Sequence, residues 1–208
     1  PMLCPNQAEG HPMEIQKIGV IGAGQMGNGI AHVLAIAGYN VLLNDISQEA
    51  LDAGINTIRK NMERQVSRDK MTQSAMDDAL ALISPTLTLT DLGQTDLVIE
   101  AATEKEAVKT AIFQELVPHL QDHTILTSNT SSISITRLAS GTDRPERFMG
   151  FHFMNPVPVM QLVELIRGIA TDKPTYDACR QVVEKLGKTA ASAEDFPAFI
   201  VNRILMPM

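Results

Sequence analysis

The spacing Gly22-Ala23-Gly24-Gln25-Met26-Gly27 constrains this 208-residue chain more than any other feature. Glycine-rich turns arise for plain steric reasons, so the spacing gains meaning only from its surroundings. Before it, Ile18 to Ile21 form a short apolar run that reads as a strand; after it, residues 30–37 read as a helix closed by Gly38. A second strand at 40–44 ends at Asp45, completing a strand-helix-strand unit whose strands, nearly all apolar, are expected to run parallel and buried on both faces. In such a unit Gly22 permits the tight turn, Gly24 lets backbone approach a pyrophosphate, and Gly27 allows helix and strand to pack closely. The free N–H groups of the helix start then face the phosphates. Asp45 is placed to bind a ribose diol, and the following Ile46 and Ser47 supply no arginine for a 2′-phosphate, which favours NAD over NADP. The predicted cofactor cradle is therefore Gly22, Ala23, Gly24, Gln25, Met26, Gly27 and Asp45.

Downstream, residues 47–66 read helical, with Leu51, Ile55, Ile58 and Met62 on one stripe and Arg59, Lys60, Arg64 and Arg68 on others. A second helix at 74–83 stops before Pro85, and the pair is expected to form a helical-hairpin arm standing off the sheet. Further strands are predicted at 97–100, 124–127, 148–152 and 162–166, with helices at 106–120 and 175–186. Strands alternating with helices in this way predict an α/β fold, a Rossmann-type doubly wound and mostly parallel sheet. Three units are expected: a tail over residues 1–13, the dinucleotide-binding domain over 14–195, and at 196–208 the opening of a helical domain that stops short.

The balance of 17 basic against 24 acidic residues, a net charge of -7, leaves nucleic acid no broad basic surface. Two cysteines are too few for a disulfide framework or a cysteine-rich zinc site, which fits a reducing cytoplasm. Nothing approaches the roughly 18 apolar residues of a membrane span, and residues 1–13 have the make-up of neither a secretory signal nor a transit peptide. No metal site is expected, since His119 and His123, four apart, lack an acid to complete a ligand set. His32 is expected to serve packing.

The segment from Gly150 to Glu164 holds the candidate chemistry. Pro158 lies midway between His152 and Glu164. Two strands folding back antiparallel around that proline-stiffened loop would bring imidazole and carboxylate opposite each other on one face. Such a pair forms a general base with an orienting acid, and equally a structural histidine in an ordinary ion pair. A polar run, Ser128-Asn129-Thr130-Ser131-Ser132, follows another strand's C-terminal end, where ligands gather in these sheets.

Taken together, these motifs, with Val98-Ile99-Glu100-Ala101-Ala102-Thr103-Glu104, Phe151-His152-Phe153-Met154-Asn155-Pro156-Val157-Pro158 and Phe199-Ile200-Val201-Asn202-Arg203, resemble the short-chain L-3-hydroxyacyl-CoA dehydrogenase family from about Lys17 to Met208. The resemblance implies NAD-dependent oxidation of an L-3-hydroxyacyl-CoA, 3-hydroxybutyryl-CoA foremost, to the 3-ketoacyl-CoA. It implies His152 as catalytic base, Glu164 as its partner, Ser131 and Asn202 as groups positioning the substrate, and Glu104, Lys109, Ser131 and Asn155 as contacts to the nicotinamide half of NAD. The serine and lysine with which the family holds CoA fall on Asn61 and Arg68, a departure from its pattern. The family's C-terminal helical domain makes a homodimer and supplies a lysine toward the cofactor, and only its first turns are expected in this sequence. Two alternatives stay open: a related 3-hydroxy acid dehydrogenase of the gulonate dehydrogenase or lambda-crystallin type, and an NAD-binding fragment without turnover.

Overall fold

The computed structural model describes residues 14–197 and 199–205; the tail expected over 1–13 and the last residues of the expected helical start lie outside them. The glycine motif joins strand β1 (Lys17–Ile21) to helix α1 (Gln25–Ile36), and β2 (Asn40–Asn44) completes the first unit. Helices α2 (Gln48–Val66) and α3 (Gln73–Ala81) lead into β3 (Ile83–Thr86). Then come β4 (Leu97–Glu100), α4 (Glu106–Leu116), β5 (Ile125–Ser128) and α5 (Ile135–Ser140). The chain continues through β6 (Phe148–Phe153), β7 (Leu162–Arg167), α6 (Lys173–Lys185), β8 (Thr189–Glu194) and the short α7 (Val201–Leu205).

All eight strands join one sheet in the order β3-β2-β1-β4-β5-β6-β7-β8. The first six run parallel; β7 turns back antiparallel to β6, and β8 follows β7 in parallel. Strand order reverses between β1 and β4, and the crevice at their carboxyl ends is where such sheets bind ligands. This is the Rossmann-type fold expected from the sequence.

Apolar side chains cover both faces of the sheet. On one, Ile18, Val20, Leu43 and Ile99 pack with Ile30 and Leu34 of α1 and with Val182 and Val183 of α6. On the other, Ile21, Val98 and Leu126 meet Phe113 of α4 and Leu138 of α5. Each such fully buried side chain contributes about 1.5–3 kcal/mol. The helical hairpin does not stand free. Leu51, Ile58 and Met62 of α2 and Met76 and Ala79 of α3 are buried in the same cluster as α1, and β3 then returns to the sheet edge beside β2. Gly54 sets how close α2 lies, because a Cβ there would fall 2.8 Å from the carbonyl oxygen of Ala23.

Local differences from the sequence expectation have physical reasons. Helix α1 begins at Gln25 rather than at 30, the glycines of its first turns having masked the helical pattern. Strand β3 contains Pro85, which an edge strand tolerates. Strand β8, Thr189–Glu194, is made mostly of alanine and serine and carries little strand propensity of its own.

Candidate active site

The three glycines occupy distinct steric situations. Gly22 has φ +97°, a left-handed backbone, and a Cβ on it would lie 2.8 Å from the Ala101 carbonyl oxygen. A Cβ on Gly27 would lie 1.6 Å from the carbonyl oxygen of Gly22, so helix and turn are in direct backbone contact. Around Gly24, by contrast, a Cβ would meet nothing within 4 Å. That open side borders a cleft of about 650 Å³ whose walls include Gly22, Gly24, Asp45, Ala102, Ile112 and Leu87. No side chain caps the start of α1 and its first turn holds no acidic residue, so its N–H groups are free to take an anion. Asp45 ties the cleft together: Oδ2 accepts from the Ala23 amide at 2.8 Å and Oδ1 from the Ser47 amide at 3.1 Å. These features fit the pyrophosphate and ribose of a dinucleotide.

His152 and Glu164 are direct partners in the antiparallel β6–β7 ladder. The His152 Nδ1 and Glu164 Oε2 are 2.7 Å apart, and both side chains are buried. A carboxylate can only accept, so Nδ1 carries a proton, and in the neutral imidazole Nε2 is the nitrogen that holds the lone pair. The Ser131 hydroxyl lies 3.2 Å from Nε2. The second Glu164 oxygen, Oε1, accepts from the backbone amides of Ile200 (3.1 Å) and Val201 (2.8 Å). Burial alone would raise the Glu164 pKa; the His152 hydrogen bond and the two amides outweigh it, and the carboxyl is held below its ordinary range. The Asn202 side-chain amide donates to the Ser131 carbonyl at 2.9 Å, and the Phe199 ring stands 6.1 Å from the imidazole. His152, Glu164, Ser131 and Asn202 are thus one connected cluster.

Glu104 and Lys109 belong to a second, adjoining network. Oε1 of Glu104 accepts from the Thr130 hydroxyl (2.6 Å) and from the Ser131 and Ser132 amides (2.8 and 3.1 Å), which fixes the loop that carries Ser131. Burial pushes its pKa upward, but these bonds and nearby Lys109 bring it below its ordinary value. Lys109, fully buried, donates to both oxygens of Glu100 at 2.8 Å and lies 3.6 Å from Glu104 Oε2. Glu100 also accepts from the Ser128 hydroxyl at 2.6 Å and from the Ala102 amide at 2.8 Å. Spacing alone does not single out Glu100, although an acid closing an otherwise apolar strand, with a lysine one helix turn into the next element, is the signal of such a pair. Nor does it single out Asn129, whose Oδ1 accepts from the Phe153 amide at 2.9 Å and so joins β6 to the Ser131 loop.

Asn155 lies at the start of the β6–β7 loop, where its Oδ1 accepts from Gln25 Nε2 at 3.2 Å, linking that loop to the first residue of α1. Asn61 borders a groove of about 370 Å³ with Asn28, Asn155 and Pro158. Arg68 is exposed in the turn after α2 and is not among the residues of that groove. Of the other histidines, His32 is buried against Gln65, and His123 pairs with Asp96 at 3.2 Å, away from the dyad.

Comparison with known proteins yields consistent matches. The family model described as 3-hydroxyacyl-CoA dehydrogenase, NAD binding domain, matches residues 17–196. A 3-hydroxybutyryl-CoA dehydrogenase of Bradyrhizobium diazoefficiens is 61% identical over 194 residues, covering 93% of this chain and 66% of the relative. A probable 3-hydroxybutyryl-CoA dehydrogenase of Bacillus subtilis is 47% identical, covering 94% and 68%. The crystal structure of (S)-3-hydroxybutyryl-CoA dehydrogenase from Ralstonia eutropha superposes with a TM-score of 0.92 at 45% identity, covering 94% of this chain and 69% of that one. The chain thus spans about two thirds of the length of the curated relatives it matches.

Proposed function

The chain belongs to the 3-hydroxyacyl-CoA dehydrogenase family as its NAD-binding domain, and from that premise we propose that it holds the cofactor and the catalytic dyad for oxidation of L-3-hydroxyacyl-CoA, with 3-hydroxybutyryl-CoA as substrate, to the 3-ketoacyl-CoA. Bound NAD supplies the hydride acceptor. His152 is the general base: its Nε2 takes the proton of the substrate's 3-hydroxyl, and in the reverse direction the imidazolium returns it. Glu164 fixes the tautomer and stabilises the imidazolium. Ser131 shares Nε2 with the substrate hydroxyl and orients it, and Asn202 holds the Ser131 backbone in place. Glu104, Ser131 and Asn155 serve the nicotinamide half of the cofactor, with Lys109 acting through Glu100 and Glu104. Asn61 contributes to the acyl-CoA groove, while the support for Arg68 is its charge alone.

The observation that carries this reading is the imidazole poised between two partners, Glu164 at 2.7 Å on Nδ1 and Ser131 at 3.2 Å on Nε2. A purely structural ion pair has no use for a hydroxyl on the second nitrogen beside a dinucleotide cleft. The test follows NADH formation from L-3-hydroxybutyryl-CoA, with cofactor affinity measured by calorimetry. Replacing His152 with Asn is expected to lower kcat by about 10²- to 10⁴-fold with NADH affinity unchanged. Wild-type-like turnover in that variant removes the base assignment. Preference for free 3-hydroxybutyrate or gulonate over the thioester moves the substrate to the hydroxy-acid relatives, and NADH binding without turnover by the unaltered chain restricts the reading to cofactor binding.

A further inference from the structure

We propose that Lys188 is a positioning residue for the cofactor site, whose ammonium group holds the β6–β7 loop in the shape that presents Asn155 to the nicotinamide end of the dinucleotide. The inference rests on the reading of Asn155 as a nicotinamide contact. Lys188 stands in the turn between α6 and β8, directly after Gly187, whose φ of +67° lets the chain reverse there. Its Nζ donates to the carbonyl oxygens of Val157 at 2.8 Å and Met160 at 2.6 Å, two acceptors from opposite ends of the loop's turn. Among the described residues both of its partners are carbonyls rather than a carboxylate. A single cation is therefore spent on converging backbone dipoles, the geometry of a clamp rather than of a surface ion pair.

The rest of the loop is pinned on the same side. Val157 is buried in a notch at Gly29 of α1, where a Cβ would come within 2.9 Å of its own Cβ. The amides of Val159 and Met160 both donate to the Pro156 carbonyl at 3.0 Å, and the Thr189 amide donates to Gln161 at 2.8 Å. These contacts leave two carbonyls pointing at one place, and only a donor with several hydrogens can satisfy both. The neighbouring histidine does not compete for the position. Burial, and secondarily the charge of Lys188, push the His32 pKa down to about 4, so it is neutral beside the ammonium at pH 7. At the other end of the loop, Asn155 meets Gln25 at the start of the phosphate-binding helix. Lys188, although far from it in sequence, thereby governs where Asn155 stands relative to the glycine turn.

The experiment is calorimetry on this chain with two probes: NADH, and ADP-ribose, which lacks the nicotinamide. Lys188→Met is expected to weaken NADH binding on the order of tenfold, the scale of a charged hydrogen bond, while ADP-ribose affinity stays within about twofold. Asn155→Ala is expected to give a loss of the same kind, and the double variant no further loss, because both changes remove one contact. Lys188→Arg, which keeps charged donors toward the carbonyls, is expected to recover most of the NADH affinity. Should the methionine variant fail to fold, Lys188→Gln takes its place as the neutral replacement. Equal weakening of both probes, an unchanged ratio between them, or additive losses with Asn155→Ala overturns the inference while the cofactor reading stands. Failure of the unaltered chain to bind either probe overturns the cofactor reading and this one with it.

Discussion

Gly24 and Gly27 are three residues apart and carry opposite constraints. Gly24 faces open space within the protein, so Gly24→Ala is expected to leave the thermal midpoint within about a degree. In the proposed cofactor site the added methyl would instead stand where the pyrophosphate approaches, and NADH affinity is expected to fall at least tenfold. Gly27→Ala would put a carbon 1.6 Å from a backbone oxygen that cannot rotate away, so its cost falls on the fold, about 3 kcal/mol, with binding lost as a consequence. Calorimetry beside thermal melts separates the two; a large drop in midpoint for Gly24→Ala would contradict the open side. The tight turn at Gly22 and the close packing at Gly27 were legible because the motif lies between a strand and a helix. It also placed His152 opposite Glu164, because strand pairing around a central turn residue fixes register. What spacing could not show was the rest of the Glu164 environment. The Ile200 and Val201 amides arrive from a segment more than 30 residues away, and main-chain donors leave no trace in side-chain identity.

Among the elements, the short helix α5 shows how the Ser131 loop is held from a distance. Its own N-cap, Ser134, is joined by Asp195, which follows β8: the carboxylate accepts from the Ser134 hydroxyl at 2.7 Å and from the Ile135 and Thr136 amides at 3.0 and 2.8 Å. One side chain thus satisfies three donors at the end of the loop that begins with Ser131. Asp195→Ala is expected to destabilise the chain by about 1–2 kcal/mol, the worth of a strong cap, and to reduce NADH-linked turnover through KM more than through kcat. Unchanged KM together with unchanged stability would show that α5 is held by its apolar face alone. Neither α5 nor β8 was legible in the sequence, for related reasons. A six-residue helix is too short for periodicity to register, and an edge strand of small residues is ordered by its neighbour rather than by its own propensity. Helix α2 was legible, but its seat was not. Its stripe of Leu51, Ile58 and Met62 announced an apolar partner, and the shared buried cluster with the close approach of Gly54 to Ala23 shows that the partner is α1 and the glycine turn.

Taken as a whole, the molecule is cross-linked by carboxylates whose ionised form is the bonded one. Asp96 accepts from the Gln16 and Lys17 amides at the start of β1, Glu104 holds the Ser131 loop, Glu164 holds His152 and the start of α7, and Asp195 holds α5. In each, burial alone would raise the pKa and the accepted hydrogen bonds outweigh it, leaving the group below its ordinary value of 3.8 or 4.5. A depressed acid stabilises the folded state fully above its unfolded pKa, and that contribution is lost as pH falls through the folded one. The acids therefore govern the range below about pH 4.5. His32 acts earlier. Its pKa of about 4 in the folded chain, set mainly by burial, against 6.5 when exposed, means that between those values the unfolded chain binds a proton that the folded chain refuses. Stability is then expected to fall by about 1.4 kcal/mol per pH unit from near 6.5 downward, before the carboxylates contribute. Urea midpoints measured from pH 8 to 4 are expected to show a plateau, a gentle slope below 6.5 and a steeper one below 4.5. In His32→Gln the gentle slope should vanish and the steep one persist. A wild-type curve that is flat between 6.5 and 4.5 would mean that the imidazole gains its proton without cost, and that α1 is less tightly packed against Gln65 than the complete burial of His32 implies.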